Sequence, residues 1–416
     1  MKRILLLASL IGATTLGSSA FAYNYVFRSI PETSDAAAAA TPAAATAPYA
    51  VDGSYEIGAY EAPEANKLFS GSIVGSWADG FGQSGNRWNM NQVWLTSERE
   101  VSGDPGRIDL GYRVDALFGT NNLQSSDGFD GKWGVSGDGY CASLYQAYGQ
   151  IGFGKLSLKG GKFGTTIGYE SVDASANPFA THSHMFNHEP TTHTGGLFTL
   201  QATDGFSIDV GLISGIDNSF DNRRGDTGFL FGANLDLAEN FSISYASELT
   251  QNHSELGENR LGCSWGYYDD LFGLPIGDSD EYLQTVTASV GLTDKFNYAF
   301  VSNYGCMSDR ATHTNRYSQL GFANYFTYDI TCCLKAAVRY EYYTQWLADE
   351  GKTLGTTGEA RQNIHDVSFG LTYKPVEHFF ILPEIRYDWV ETGDIKGKNS
   401  IKDDGVTGAV ACGFVF

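Results

Sequence analysis

From about Leu68 to the final Phe416 the chain alternates apolar and polar residues with period two. In Arg107 to Phe118 one face carries Ile108, Leu110, Tyr112, Val114, Ala116 and Phe118, and the other carries Arg107, Asp109, Gly111, Arg113 and Asp115. Phe206, Ile208, Val210 and Leu212 alternate with Ser207, Asp209 and Gly211; Phe241, Ile243, Tyr245 and Leu249 with Ser242, Ser244 and Glu248. Leu334, Ala336, Val338, Tyr340 and Tyr342 are set against Lys335, Arg339 and Glu341. Successive side chains of a strand point to opposite faces, so each run predicts a strand with one apolar and one polar face. The pattern gives sixteen strands, with fourteen or eighteen as the alternatives if boundaries shift.

Connections alternate in length. Short ones lie near Ser102–Gly106, Gly154–Lys155, Thr203–Gly205, Ala238–Asn240, Thr293–Lys295, Asp329–Thr331 and Lys374–His378. Long ones lie near 78–86, 119–139, 164–192, 216–227, 250–281, 305–317, 345–364 and 388–405. Four of the short turns share one design: Thr203-Asp204-Gly205-Phe206, Ala238-Glu239-Asn240-Phe241, Thr293-Asp294-Lys295-Phe296 and Val376-Glu377-His378-Phe379. Each opens the next strand on a phenylalanine, which suits a ring seated at a lipid–water boundary. A soluble β-sandwich would show the same alternation. The even strand count, the two classes of connection and an apolar last strand (Val406, Gly408, Val410, Cys412, Phe414, Phe416) instead predict an all-β, transmembrane antiparallel barrel of an outer membrane. A terminal aromatic such as Phe416 is a common feature of such barrels, read by the assembly machinery.

The N-terminus fits that destination. Met1-Lys2-Arg3 is basic, Ile4 to Leu10 apolar, and Ala20-Phe21-Ala22 a small-residue cleavage site, so residues 1–22 read as a secretory signal peptide. Residues 23–67, with an Ala/Pro/Thr stretch from Asp35 to Ala50, carry no strand period and read as a periplasmic leader or linker ahead of a barrel at 68–416. No segment offers the roughly 18–20 apolar residues of a membrane helix. An aromatic share of 14% supplies rings for two interfacial girdles. Without Lys2 and Arg3 the chain has 25 basic against 48 acidic groups, a net charge of −23. That argues against nucleic acid and against anionic lipid surfaces as partners and favours cations near the mouth.

One stretch is more specific. Gly161-Lys162-Phe163-Gly164-Thr165-Thr166-Ile167-Gly168-Tyr169-Glu170 leads through Asn177-Pro178-Phe179 and His182-Ser183-His184-Met185-Phe186 to Glu189-Pro190-Thr191-Thr192-His193-Thr194-Gly195. It resembles the OmpL-like outer-membrane β-barrel porin family, in which a Gly-Lys-Phe…Gly-Tyr-Glu strand end precedes a long loop closed by Pro…His-Thr-Gly. The close match covers about thirty residues, and a looser likeness in strand layout runs over 68–416. Residues 23–67 and the six cysteines have no counterpart in it. The resemblance implies a passive diffusion channel for small hydrophilic solutes, without enzymatic activity or cofactor, and says little about which solute. Partners expected on this reading are outer-membrane lipid, solutes or cations, and, by analogy with porins of this size, two further copies in a homotrimer.

Residues 164–192 are the third long loop, which in sixteen-stranded porins often folds inward. By that analogy the constriction candidates are Tyr169, Glu170, Asp173, His182, His184, His188, Glu189 and His193. His182, His184 and His188 are also a metal-site candidate, since His-x-His in an extended segment puts both rings on one side. The plainer alternative is a set of histidines hydrogen-bonded to barrel wall and water; an intermediate one is a pH-sensitive constriction. Pore-lining candidates are Arg107, Asp109, Arg113, Asp115, Lys335, Arg339, Glu341, Glu384, Arg386 and Asp388. They form either a transverse field, acidic on the loop and basic on the wall, or interstrand ion pairs that stiffen the interior. Cys263 and Cys306 fall in neighbouring outer loops and could bridge; Cys332-Cys333 sits by a short turn, and Cys412 should face lipid. Two rival functions stay open. One is a non-conducting surface or adhesion barrel, with Trp265, Tyr267 and Tyr268 as a recognition surface. The other is an outer-membrane hydrolase drawing on His193 with Ser183 or Asp173, which no nucleophile motif supports.

Overall fold

The computed structural model describes residues 70–80, 88–103, 106–120, 140–218, 220, 225–253, 278–347, 360–394 and 401–416. The signal peptide, the leader and the aromatic surface at Trp265 lie outside them. The described residues form sixteen strands: β1 (Ser70–Gly80), β2 (Trp88–Arg99), β3 (Ile108–Gly119), β4 (Cys141–Phe153), β5 (Leu156–Gly164), β6 (Thr192–Thr203), β7 (Phe206–Ile216), β8 (Thr227–Ala238), β9 (Phe241–Asn252), β10 (Ser279–Gly291), β11 (Phe296–Asp309), β12 (Asn315–Thr331), β13 (Leu334–Leu347), β14 (Ala360–Val376), β15 (Phe379–Asp394) and β16 (Ile401–Val415). Every strand pairs antiparallel with its neighbours in sequence, and β16 returns to β1 with Ser72 opposite Val415 and Trp77 opposite Val410. Closure removes both free sheet edges, the condition for placing a sheet in lipid.

The alternation sorts faces as the sequence implies. In β3, Ile108, Leu110, Tyr112, Val114 and Phe118 are exposed while Asp109, Asp115 and Leu117 are buried. The outer wall continues with Phe153, Leu158, Leu212, Leu249, Phe369, Ile385 and Val406, a belt of large apolar residues that only a lipid surround satisfies. Phe206, Phe241, Phe296 and Phe379 each begin a strand at the short-turn end. Two of these rings join outward-facing aromatics: Phe296 lies 6.3 Å from Phe326, and Phe379 lies 5.0 Å from Phe414. At the opposite end His365 stacks on Trp389 at 4.7 Å beside Tyr340 and Tyr342. The two aromatic levels bracket the apolar belt.

Three boundaries differ from the sequence reading. The turn between β12 and β13 is Cys332-Cys333; Asp329 and Thr331 still belong to β12. The outer connection between β11 and β12 shrinks to residues 310–314, because both strands run on past the membrane belt. Arg107 precedes β3 and is exposed at its turn. Cys306 is a free thiol, and its expected partner Cys263 lies outside the described residues. Cys412 sits half-buried on the outer face, as its parity in β16 requires.

The core lies inside the barrel. Phe163, Ile167, Leu197, Ile213, Leu230, Ala246 and Leu283 form one apolar cluster. Phe179, Met185, Val301, Tyr325, Tyr343 and Ile364 belong to another. Ile167, Phe179 and Met185 come from the connection between β5 and β6. That segment therefore folds into the lumen and packs on inward-facing side chains.

Candidate functional site

The segment 165–191 crosses the barrel interior, and the wall holds it mainly by its backbone. Near its start Asp173 accepts from Ser175 N–H (2.9 Å), capping the short 3-10 turn Ala174–Ala176, and its Oδ1 also receives Ser72 Oγ–H of β1 (3.2 Å) and Gln92 Nε2 of β2 (2.5 Å). Gln92 Oε1 takes the N–H of Ala174 (3.0 Å). Two strands along the wall from β1, Glu384 of β15 accepts the N–H and the hydroxyl of Thr181 (2.8 and 2.7 Å). Glu341 of β13 accepts the N–H groups of His184 and Met185 (both 2.7 Å). A carboxylate that takes two backbone donors fixes a loop as a helix cap would, with charge-assisted bonds.

Between these anchors lies a buried ionic network. Arg339 is fully buried; it donates to Glu170 of the loop (2.9 Å), to Asp366 of β14 (3.0 Å), to the Thr181 carbonyl (3.1 Å) and to Ser368 (3.2 Å). Glu170 also receives Tyr325 O–H (2.9 Å) and Ser183 N–H (2.9 Å), and lies 3.1 Å from His182 Nδ1. Burial alone would raise the Glu170 carboxyl, but the Arg339 guanidinium and His182 hold it down to about 2, so it stays charged. Arg386 binds Asp388 through Nε (2.8 Å) and the His182 carbonyl through Nη1 (2.6 Å). His184 Nε2 stands 3.0 Å from Asp388 Oδ1 and 2.6 Å from Arg386 Nη2. One ring nitrogen serves one of them: protonated it donates to the carboxylate, unprotonated it accepts from the guanidinium. Burial lowers the His184 pKa despite the Asp388 bond, which favours the neutral ring, whose tautomer then decides between the two.

The end of the loop meets a different wall. Glu189 is 3% exposed and accepts from Asn303 Nδ2 of β11 (3.0 Å). Its carboxyl is pushed up to about 7 by burial, against that bond and with repulsion from Glu170 adding to the rise. His188 donates from Nδ1 to the His184 carbonyl (2.6 Å) and stacks on Tyr343 at 4.7 Å; burial lowers its pKa to about 4. Gly168 has φ +92°, a left-handed value, and a Cβ there would run into the Glu189 carboxylate. A cavity beneath the loop is lined by Tyr145, Tyr169, Glu170, Val172, Asn177 and Glu189. His193, already in β6, is fully buried, with Nε2 3.0 Å from Thr165 Oγ1 and Nδ1 3.8 Å from Glu248.

Most residues expected from the sequence meet here. Arg339, Glu341, Glu384, Arg386 and Asp388 face the loop; Asp109, Arg113 and Asp115 form a separate wall cluster, with Arg113 bridging Asp115 and Glu98 (2.9 Å each) and Arg99 pairing Asp109 (2.9 Å). Lys335 pairs Asp329 (3.4 Å) near the short-turn end. His182, His184 and His188 bind different partners, and no group of three His, Cys, Asp or Glu among the described residues is arranged to hold a metal ion. Nor do Ser183, Asp173 and His193 hydrogen-bond to one another: Ser183 Oγ accepts from Phe186 N–H and Asp173 faces β1 and β2. Asp366, Gln92 and Tyr325 were missed by sequence reasoning. Asp366 does carry a signal, sitting in phase with Ile364 and Ser368 on the inner face of β14.

Residues 51–416 match the sequence model of a family described as putative beta-barrel porin-2, OmpL-like. No curated protein matches the chain. Among solved structures, Pseudomonas putida OprB at high pH superposes with TM-score 0.54 at 13% identity, covering 84% of this chain and 94% of that one. The trimer form of Vibrio cholerae OmpT gives 0.52 at 13%, covering 84% and 98%. The outer-membrane channel DcaP of Acinetobacter baumannii gives 0.50 at 12%, covering 84% and 96%. At such identity the likeness speaks for the fold alone.

Proposed function

We propose that this chain, which belongs to the OmpL-like β-barrel porin family, is a passive diffusion channel for small hydrophilic solutes whose loop 165–191 sets the constriction. The family and the barrel place it in the bacterial outer membrane. The observation that carries the constriction reading is the anchoring of one loop on the far side of the barrel from its root: it leaves β5 and returns to β6, and β13–β15, about half the barrel away, hold it through Glu341 and Glu384, with β1–β2 adding Asp173. A segment rooted at β5–β6 and held on the far wall narrows the lumen.

Cation preference is the second half of the proposal. Glu189 reaches the cavity beneath the loop with only the amide of Asn303 as partner, whereas the wall arginines Arg339 and Arg386 are already tied to carboxylates, Glu170 among them. The charges left to act on a solute are therefore acidic, in line with the net charge of the chain. Assembly as a homotrimer completes the reading, with the trimer form of OmpT as the structural precedent.

Single-channel current of the refolded protein in a planar bilayer, with the reversal potential under a salt gradient, tests it. Stepwise conductance with a cation-favouring reversal is expected. A barrel that inserts and never conducts would overturn the channel, and an anion-favouring reversal would overturn the selectivity.

A further inference from the structure

The turn joining β12 to β13 consists of two cysteines, Cys332 and Cys333. The other two-residue turns at this end are Gly154-Lys155, Asp204-Gly205, Glu239-Asn240 and Glu377-His378; three of the four hold a Gly or Asn whose side chain or backbone freedom makes a turn by itself. Cysteine offers neither advantage. Cys332 is exposed and Cys333 half-buried, both are free thiols, and their Sγ atoms stand 3.1 Å apart. The turn beneath them is fixed: Cys333 N–H donates to Thr331 Oγ1 (3.2 Å), and its carbonyl accepts from Lys374 N–H of β14 (2.8 Å). Nothing in the lumen network uses either sulfur.

Two adjacent thiols can join each other or grip a third atom. Neighbouring Cα atoms are about 3.8 Å apart across a trans peptide, short of the roughly 4.4–6.8 Å that disulfides span. A disulfide here would be strained, and strained disulfides are the readily reduced ones. The pair is instead shaped as a chelate. Thiolate ligands select soft centres. A pyramidal, three-coordinate centre with bond angles near a right angle takes two sulfurs this close, whereas a linear two-coordinate ion needs them farther apart.

We propose that Cys332 and Cys333 form a periplasm-facing dithiol site for a soft, three-coordinate thiophilic centre, of which trivalent arsenic is the representative. Binding is a condensation. Two S–H bonds break, two As–S bonds form, the arsenic-bound oxygen leaves with both protons as water, and no oxidation state changes. The bond from Cys332 raises the Cys333 pKa, which keeps the thiol that this condensation consumes.

The test uses full-length refolded protein, reduced with a phosphine, and phenylarsine oxide as the probe. Intact mass after a glutathione wash reports the adduct, because a monothiol removes arsenic held by one sulfur and leaves a chelate. One adduct per chain is expected. It should persist when Cys141, Cys263, Cys306 and Cys412 are together changed to serine, and vanish in Cys332→Ser and in Cys333→Ser. Heat-modifiable gel mobility confirms that each variant is folded. A wild-type chain without a wash-resistant adduct, or a Cys332→Ser chain that keeps one, would overturn the site. So would recovery of the pair as a disulfide from cells quenched and alkylated in acid.

Discussion

Two walls of the same lumen hold the loop in opposite ways. On β13–β15 the inward side chains Arg339, Glu341, Asp366, Glu384, Arg386 and Asp388 are all buried, and each is bonded to the loop or to a neighbour. On β8–β10 the contact is the apolar cluster of Ile167 with Leu230, Ala246 and Leu283. Beside it Glu248 is 1% exposed with neither carboxyl oxygen bonded, and Thr250 and Asn252 also hold buried polar atoms without hydrogen bonds. Alternation alone makes both walls polar inside. What separates them is whether the loop brings complementary charge: Glu170 reaches Arg339, whereas among the described residues Glu248 has only the His193 ring near it, 3.8 Å away. A buried group left unbonded costs about 1–3 kcal/mol, so the β13–β15 side is a clamp and the β8–β10 side the place where the loop gives way.

The sharpest break of that contrast is Arg339→Met. It leaves Asp366 and Glu170 buried without their counter-charge, and should lower the unfolding free energy by roughly 3–5 kcal/mol. Urea unfolding in lipid vesicles followed by tryptophan fluorescence measures it; a loss below about 1 kcal/mol would mean that the clamp is ornamental. On the other wall Leu283→Ala removes a buried side chain from the apolar cluster and should cost roughly 2–4 kcal/mol, while the ionic network stays intact. Gly168→Ala acts on the loop itself. Its φ of +92° and the Glu189 carboxylate in the path of a Cβ predict about 1–3 kcal/mol of strain. Limited proteolysis should then cut within 165–191 sooner than in wild type, and unchanged protection would argue that the loop end is already loose.

These experiments rest on features of unequal legibility. The barrel could be read because alternation in runs such as Ile108 to Phe118 is a local property of each strand. The loop could be placed because its flanks, Gly161 to Glu170 and Pro190 to Gly195, carry a recognisable pattern. Which wall it binds could not be read. Arg339 and Glu170 are 169 residues apart, and their meeting depends on barrel closure and on the loop's course across the lumen. The ion pairs within the wall were half visible: Arg386 and Asp388 lie two apart on one face, but the share of Asp366 follows from the β13–β14 register, with Glu341 opposite it. Turn chemistry misled where Asp329 seemed a turn former and the chain turned at Cys332-Cys333.

Glu248→Gln sharpens the comparison from the permissive side. An isosteric amide replaces a buried carboxyl whose oxygens bind no donor, so stability should hold or rise by about 1 kcal/mol. That sign is the reverse of the one for Arg339→Met. If the mutant loses as much as Arg339→Met, then Glu248 has a partner that matters and the two walls are alike.

A pH dependence carried by Glu189 sharpens the comparison further. Its carboxyl is raised to about 7 from an ordinary 4.5, chiefly by burial. A carboxyl that holds its proton more tightly when folded contributes stability below its unfolded pKa. That contribution is lost as pH rises through the folded value. Urea resistance should therefore decline between about pH 4.5 and 7 and level off above. Glu170, held down to about 2, is charged in the folded state throughout that window and adds an opposing slope only near its lower edge, where the unfolded carboxyl still titrates. Ionisation of Glu189 also adds a negative charge beside the cavity, so the reversal potential should become more cation-favouring over the same range. Glu189→Gln should flatten both curves and leave the network at Arg339 untouched, because its hydrogen-bond partner is Asn303 of β11, outside that network. A wild-type reversal potential that does not move between about pH 5 and 8 would put Glu189 outside the permeation path. The path would then run along β13–β15, where the clamp is tightest, and the contrast between the two walls would concern stability alone.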